Sequence, residues 1–171
     1  HPFSDCAAEG PTSCIVHRGS GPTVLLLGDS HALALAPMVI ELAEARDLTL
    51  AVVTSPGCPW ADGLLDQDPR AGGCAGRRAD WYDEIIPAID PELVILAERP
   101  IDDPTNSIAL RDVEAGDLPI GSEKLSTAVE RRSRATVDLL VGQGRKVVIL
   151  EPIPVGPEGS DPIKISDSVV G

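Results

Sequence analysis

Aromatic residues are almost absent from this chain of 171 residues, which contains one Phe, two Trp and one Tyr. A core with so few rings is filled mainly by Val, Ile, Leu and Ala, a usage typical of buried parallel strands covered by helices. Hydrophobic residues make up 43% of the sequence, which is enough for one packed core. The length therefore predicts one ordinary domain rather than two.

Basic residues are also scarce: 14 Lys and Arg stand against 27 Asp and Glu, giving a formal net charge of −13. Because phosphates would be repelled, this charge argues against nucleic acid and anionic lipid as main partners, and a neutral sugar or ester is easier to accommodate. The alternative is that the charge serves solubility alone. Long hydrophobic runs are missing too, since no stretch approaches the roughly 20 apolar residues of a membrane span. No signal peptide precedes His1, so we expect a mature or excised piece of an exported protein.

The 4 cysteines match no familiar spacing of zinc ligands, and no pair of histidines completes such a set, so no metal site is predicted. Pairing of Cys6 with Cys14 and of Cys58 with Cys74 would close two short loops in segments rich in Gly and Pro. Such disulfides indicate an oxidising compartment outside the cytoplasm. Four buried free thiols are the alternative.

Short apolar runs recur along the chain, each about as long as a buried strand, at residues 24–27, 48–53, 93–97 and 147–150. Segments with helical spacing of apolar residues lie between them, at 32–46, 78–89 and 122–141. In the last segment we interpret the charged residues as a solvated face: Glu123, Lys124, Glu130, Arg131, Arg132 and Arg134. The alternation of strand and helix predicts an α/β fold, a three-layer α/β/α sandwich around a parallel sheet.

The chain divides into an irregular N-terminal arm, residues 1–22, clipped by a disulfide, and a domain over residues 23–171. Two connections in the domain, 55–76 and 100–121, are longer than a compact α/β unit needs. Both follow the carboxyl ends of strands, where open α/β sheets bind their ligands. We expect these two connections to shape a site.

The first apolar run leads directly into Gly28, Asp29, Ser30 and His31. Ser30 is expected to cap the first helix, which places its backbone N–H at a helix N-terminus, where partial positive charge favours an anion. A nucleophilic hydroxyl and an oxyanion donor would then come from one residue. The alternative is that Ser30 only caps the helix.

The segment LLLGDSHALAL resembles the first signature block of the SGNH hydrolase superfamily, in which the serine of a Gly-Asp-Ser motif on strand one is the nucleophile. More narrowly, four segments within residues 23–155 are similar to successive landmarks of the SGNH domains fused to integral-membrane acyltransferases. In order along the chain they are GDSHA, TSPGCPW, PELVILAERP and RKVVILEPIPV. The resemblance implies a flavodoxin-like SGNH fold. It also implies transfer of acetyl or other short acyl groups to bacterial cell-surface glycans.

By this resemblance Ser30 is the nucleophile and its N–H the first oxyanion donor, while Gly57 stands about where the family has a second donor glycine. The alternative for Gly57 is a turn glycine beside Pro56. Asp29 is expected to fix the turn through local hydrogen bonds rather than to transfer protons. His31 is a candidate for orienting groups or contacting substrate, and a weaker candidate for the general base.

The family usually supplies an Asn after its third strand, but this chain has LAERP there, and the nearest Asn is Asn106. In this departure the chain resembles the fused SGNH domains, which often have an Arg at this position. Arg99 is therefore a candidate to bind an oxyanion or a sugar hydroxyl. A salt bridge from Arg99 to Glu98 or a neighbouring acid is the alternative.

A serine nucleophile needs a base, and the family draws it from a C-terminal Asp-x-x-His block that follows a fifth strand. The histidines of this sequence are His1, His17 and His31, and none follows an Asp by three positions. Three explanations stay open: the C-terminal part of the domain is missing from this chain, the domain is natural but inactive, or His17 serves from the N-terminal arm. We expect the first, because the stretch after Leu150 has no further strand or closing helix.

The leading hypothesis is an extracytoplasmic SGNH-type domain, fused to a membrane acyltransferase domain, that passes an acyl group from a donor to an envelope glycan. A secreted carbohydrate esterase or lipase of the same superfamily is one alternative, and a catalytically inactive glycan-binding domain is another. Neither a P-loop nor a GxGxxG motif follows the first strand, so no nucleotide cofactor is predicted. No periodic apolar seam indicates a coiled coil, and we expect a monomeric domain.

Overall fold

The computed structural model describes residues 6, 10–67, 74, 80–101 and 109–151. Its strands are β1 Ile15–His17, β2 Thr23–Gly28, β3 Thr49–Thr54, β4 Leu64–Asp66, β5 Leu93–Ala97, β6 Leu110–Asp112, β7 Gly116–Leu118 and β8 Lys146–Leu150. They form a main sheet with the order β1-β3-β2-β5-β8 and a small sheet with the order β4-β6-β7.

The main sheet is parallel except at one edge. β3, β2, β5 and β8 run in the same direction, and β1 pairs antiparallel with β3. β2 lies at the centre of the strand order, and its apolar run is buried on both faces, with Leu25, Leu26 and Leu27 all 0% exposed. The four predicted apolar runs are these four parallel strands, so the predicted α/β class is confirmed.

Helices cover both faces of the main sheet. On one face, α1 (Ser30–Arg46) packs against alternate residues of β2 and β3, including Val24, Leu26 and Val52. On the other face lie α2 (Ile86–Ile89), which continues a π-helical turn at Trp81–Ile85, and α3 (Glu123–Gly142). The three predicted layers are therefore present.

The charged residues of α3 are not all solvated, and this part of the prediction is wrong. Arg132 is only 15% exposed, and its Nε lies 2.8 Å from Oδ2 of Asp112, a side chain that is 0% exposed. Arg131 also reaches Asp112, with Nη2 at 2.8 Å from the same oxygen. The two arginines thus anchor α3 to the small sheet.

The N-terminal segment is more ordered than predicted. A 3-10 helix at Pro11–Cys14 leads into β1, an edge strand that pairs with β3. The predicted disulfide between Cys6 and Cys14 is present. Residues 1–22 therefore include a strand of the main sheet and are not irregular throughout.

The two long connections pair with each other. β4 comes from the first connection, and β6 and β7 come from the second, with Leu64 opposite Asp112 in the antiparallel β4–β6 pair. The predicted disulfide between Cys58 and Cys74 is present in the first connection. Sequence analysis did not predict the small sheet.

Some predicted features lie outside the described residues: the start of the second predicted helix, Asn106 and the tail beyond Glu151. Among the helices that the structure describes, none combines the length and apolar character of a membrane span.

Candidate active site

The candidate site lies at the carboxyl edge of the main sheet, where three strands deliver polar residues. β2 leads into Asp29 and Ser30, β3 leads into Ser55, and β5 leads into Glu98 and Arg99. Because β3 and β5 lie on opposite sides of β2, this is the point where the strand order reverses. Open α/β sheets bind ligands in the crevice at this position.

Asp29, rather than Ser30, caps α1, which corrects the predicted role of Ser30. The Asp29 side chain is buried, and its Oδ1 accepts a hydrogen bond from the His31 N–H at 2.7 Å. Ser30 is the first residue of the helix and is exposed. The Ser30 N–H therefore remains among the donors at the helix N-terminus, where it favours negative charge.

Asp29 also connects the turn to the neighbouring strand. Its Oδ2 accepts a hydrogen bond from the Arg99 N–H at 3.2 Å, and its own N–H donates to the Ala97 carbonyl at 3.4 Å. The local hydrogen bonds expected of Asp29 are therefore present. They fix the backbone on both sides of Ser30.

Arg99 lies between two carboxylates. Its Nε is 3.8 Å from Asp29 Oδ2, and its Nη2 is 3.9 Å from Asp66 Oδ2. The ion pairs of Arg99 thus join the main sheet to β4, whereas sequence analysis named Glu98 first as its partner. The side chain of Arg99 remains 22% exposed at this edge.

Glu98 instead holds the connection that follows β3. Its Oε2 accepts a hydrogen bond from the Trp60 N–H at 3.0 Å, and the Trp60 carbonyl accepts one from the Tyr82 hydroxyl. Upstream, the Cys58 N–H donates to the Ser55 carbonyl at 3.0 Å and closes a turn. Gly57 in this turn has a φ of 78°, a left-handed backbone that favours glycine.

Two buried polar atoms at this edge have no hydrogen-bond partner in the described part of the chain: Ser55 Oγ and Arg99 Nε. Ser55 is 2% exposed, and its N–H donates to the Gly28 carbonyl at 3.0 Å, which places it beside the turn of Ser30. Buried polar groups are normally satisfied, so these atoms mark positions where a ligand or water would gain a hydrogen bond.

Of the two described histidines, His31 lies beside Ser30 in α1, whereas His17 lies in β1. His17 pairs with Leu50 near the start of β3, and that strand runs roughly 13 Å further to its carboxyl end. His17 as the base for Ser30 is therefore wrong. The side chain of His31 is 55% exposed, with Nδ1 at 3.6 Å from Asp29 Oδ1.

The small sheet that carries Asp66 is fixed to α3 through Asp112. Oδ1 of Asp112 accepts hydrogen bonds from the N–H groups of Glu114 at 2.8 Å and Ala115 at 2.9 Å. The hydrogen-bonded Arg132 guanidinium is the main reason that the pKa of Asp112 lies well below its ordinary value, and the backbone donors add to the effect. The Asp112 carboxylate therefore stays charged in the interior.

Sequence analysis missed Ser55 and Asp66 at this edge, and it named Glu98 only as a partner of Arg99. Ser55 belongs to the TSPGCPW landmark, and Glu98 belongs to LAERP, so the order of the landmarks carried a signal for both. Asp66 carried none, because its position beside Arg99 depends on the pairing of two distant connections.

The sequence matches the family described as "SGNH domain (fused to AT3 domains)" over residues 3–168. In fold the chain is similar to a solved structure, a Salmonella ser. Paratyphi A lipopolysaccharide acetyltransferase periplasmic domain, with a TM-score of 0.57 and 15% sequence identity. The likeness covers 82% of this chain and 48% of that one, so the chain spans about half the length of the solved chain. No curated protein gives a sequence match.

Proposed function

Because the chain belongs to the family of SGNH domains that are fused to AT3 domains, we propose that it takes part in acyl transfer with Ser30 as the nucleophile. The observation that carries this proposal is the position of Ser30, exposed at the start of α1 and at the carboxyl end of the central strand. The similarity in fold to a lipopolysaccharide acetyltransferase domain supports an envelope carbohydrate as acceptor and acetyl as the acyl group.

In the proposed first step, Ser30 Oγ attacks the carbonyl carbon of an acyl ester while its proton passes to a base. The backbone N–H groups of Ser30 and Gly57 stabilise the resulting oxyanion, and Arg99 contacts the oxyanion or a substrate hydroxyl. The C–O bond of the ester then breaks, the leaving alcohol takes the proton from the base, and the acyl group stays on Ser30.

In the second step an acceptor hydroxyl attacks the carbonyl carbon of the acyl group on Ser30, and the base takes its proton. The bond from this carbon to Ser30 Oγ then breaks, and Ser30 Oγ takes the proton from the base. A glycan hydroxyl makes the reaction a transfer, and water makes it a hydrolysis. His31 is unsuited to the role of base, since adjacent helical residues project in different directions. We therefore assign the base to the Asp-x-x-His block that the family resemblance implies, outside these 171 residues.

The proposed location is outside the cytoplasm, in a protein whose AT3 domain lies in the membrane. Two disulfides support an oxidising compartment. The family description supports the fusion to an AT3 domain. The acyl donor and the glycan are the proposed partners.

The test is labelling of the full-length protein by a neutral fluorophosphonate, followed by mass spectrometry of the modified peptide. We expect modification at Ser30, and none in the Ser30→Ala variant. Ser126→Ala is the matched control, because Ser126 is also exposed and lies in the first turn of a helix. This control is expected to label like the wild-type protein.

Labelling that persists in Ser30→Ala would show a different nucleophile and reject the proposal. If the full-length wild-type protein does not react, the inactive glycan-binding domain becomes the better hypothesis. Glycan binding without acyl transfer would support that alternative.

A further inference from the structure

We propose that Asp66, on the small sheet, is a positioning residue that holds Arg99 at the carboxyl edge of the main sheet. The inference rests on the proposed function, because Arg99 matters only if the edge is an active site. It assigns the small sheet a part in the geometry of that site.

The contacts of Arg99 show why one carboxylate is insufficient. Asp29 and Asp66 both lie within 4 Å of the guanidinium, yet each ion pair is longer than a hydrogen bond, at 3.8 and 3.9 Å. The buried Nε of Arg99 has no hydrogen-bond partner in the described part of the chain. The side chain is therefore held by attraction from two sides, with no direct bond to either carboxylate.

Loss of the Asp66 charge would leave the attraction of Asp29 unbalanced. Asp29 Oδ2 already accepts the Arg99 N–H, so the guanidinium has a short path to that oxygen. A shorter Arg99–Asp29 pair would move the guanidinium out of its position between the two carboxylates, where it would contact the oxyanion or a substrate hydroxyl. Asp66 would then act on the reaction only through Arg99.

Asp66 is well placed to hold a fixed position. Its side chain is only 3% exposed, and it lies at the end of β4, paired with Leu110 of β6. The next residue, Gln67, donates its N–H to the Ala109 carbonyl at 3.0 Å. The pairing of β4 with β6 therefore keeps the carboxylate at a set distance from the edge of the main sheet.

The first measurement follows the Arg99 side chain directly, using the ¹⁵N-labelled full chain and the Nε–H resonance that disappears in Arg99→Gln. We expect Asp66→Asn to shift this resonance and to speed its hydrogen exchange roughly tenfold. Asp138→Asn makes the same substitution at an exposed side chain of α3 and is expected to leave the resonance unchanged.

The second measurement is a double-mutant cycle on the rate of Ser30 modification by the neutral fluorophosphonate. We expect Asp66→Asn and Arg99→Gln each to slow the reaction roughly tenfold, and the double variant to be no slower than Arg99→Gln alone. Asp66→Glu, which keeps the charge, is expected to recover part of the rate. A residue that only stabilised the fold would not show this coupling.

Effects that multiply in the double variant would overturn the proposal, because Asp66 would then act independently of Arg99. An unchanged Arg99 resonance in Asp66→Asn would overturn it as well. Failure of the proposed function looks different: the wild-type protein would not react at Ser30, while the resonance of Arg99 would still report whether Asp66 holds it.

Discussion

Gly28 connects the central strand to the turn that carries Ser30, and its position has no room for a side chain. A Cβ atom there would lie 1.8 Å from the Ala97 carbonyl oxygen and 2.9 Å from the Ala32 Cβ. That oxygen also accepts the Asp29 N–H, so it has no freedom to move away. The close approach of β5 to the turn therefore requires glycine.

We expect Gly28→Ala to lower the free energy of unfolding by about 2–4 kcal/mol, because β5 and the turn must separate to admit the methyl group. Urea denaturation at neutral pH measures the change. Gly142→Ala is the control, since nothing lies within 4 Å of the added Cβ. This control is expected to be unchanged or up to about 1 kcal/mol more stable, and equal losses in both variants would contradict the argument.

At the scale of elements, the small sheet depends on one buried carboxylate. Asp112 ends β6, is 0% exposed, and joins Arg131 and Arg132 of α3. Its pKa is lowered from 3.8, mainly by the hydrogen bond from Arg132. A carboxyl group with a lowered pKa in the folded state stabilises the protein above its unfolded pKa, and this contribution is lost as the pH falls below that value.

We expect Asp112→Asn to be about 2–4 kcal/mol less stable than the wild-type protein at pH 7, because the largely buried Arg132 loses its buried carboxylate partner. The difference should shrink as the pH falls toward and below 3.8, because the wild-type carboxyl then takes up a proton in the unfolded chain. Urea denaturation at pH 7 and at lower pH tests this dependence. Asp117→Asn, at an exposed ion pair, is expected to change stability by less than about 0.5 kcal/mol, and a difference for Asp112→Asn that does not vary with pH would disagree with the assigned cause.

The elements that sequence analysis predicted are those whose signal is local. Continuous apolar runs identified the four parallel strands, and a helix start directly after Gly28 identified the position of Ser30. β4, β6 and β7 have three residues each and no apolar run, and Leu64 finds its partner 48 residues away at Asp112. The Asp66–Arg99 contact depends on that pairing, so no local pattern predicts it.

At the scale of the whole molecule, one disulfide lies before β2 in the sequence and the other lies after β3. One joins the N-terminal segment that carries β1, and the other closes a loop after β3. Both connect residues that are close in sequence, so each restrains a loop rather than joining distant parts of the fold. For the longer loop the restraint on the unfolded chain corresponds to about 3 kcal/mol.

We expect thiol titration of the denatured, unreduced protein to find no free cysteine, and four after reduction, because the described cysteines are all paired. The Cys58→Ser/Cys74→Ser variant is expected to lose about 3 kcal/mol of stability on urea denaturation. The Cys6→Ser/Cys14→Ser variant is the comparison, with a slightly smaller loss expected from its shorter loop. Four free thiols before reduction would remove the main physical support for an extracytoplasmic location.

The strand order of the main sheet also sets the timing of folding. β2 pairs with β3 26 residues downstream and with β5 69 residues downstream, and the connection that carries Gly57 and Asp66 lies within the longer interval. Parallel pairing over such distances is slow, since loop closure precedes any gain from contact. Pairing of β2 with β5 therefore closes the longest interval in the main sheet, and the connection that carries Gly57 and Asp66 lengthens the time during which β2 is open to misassociation.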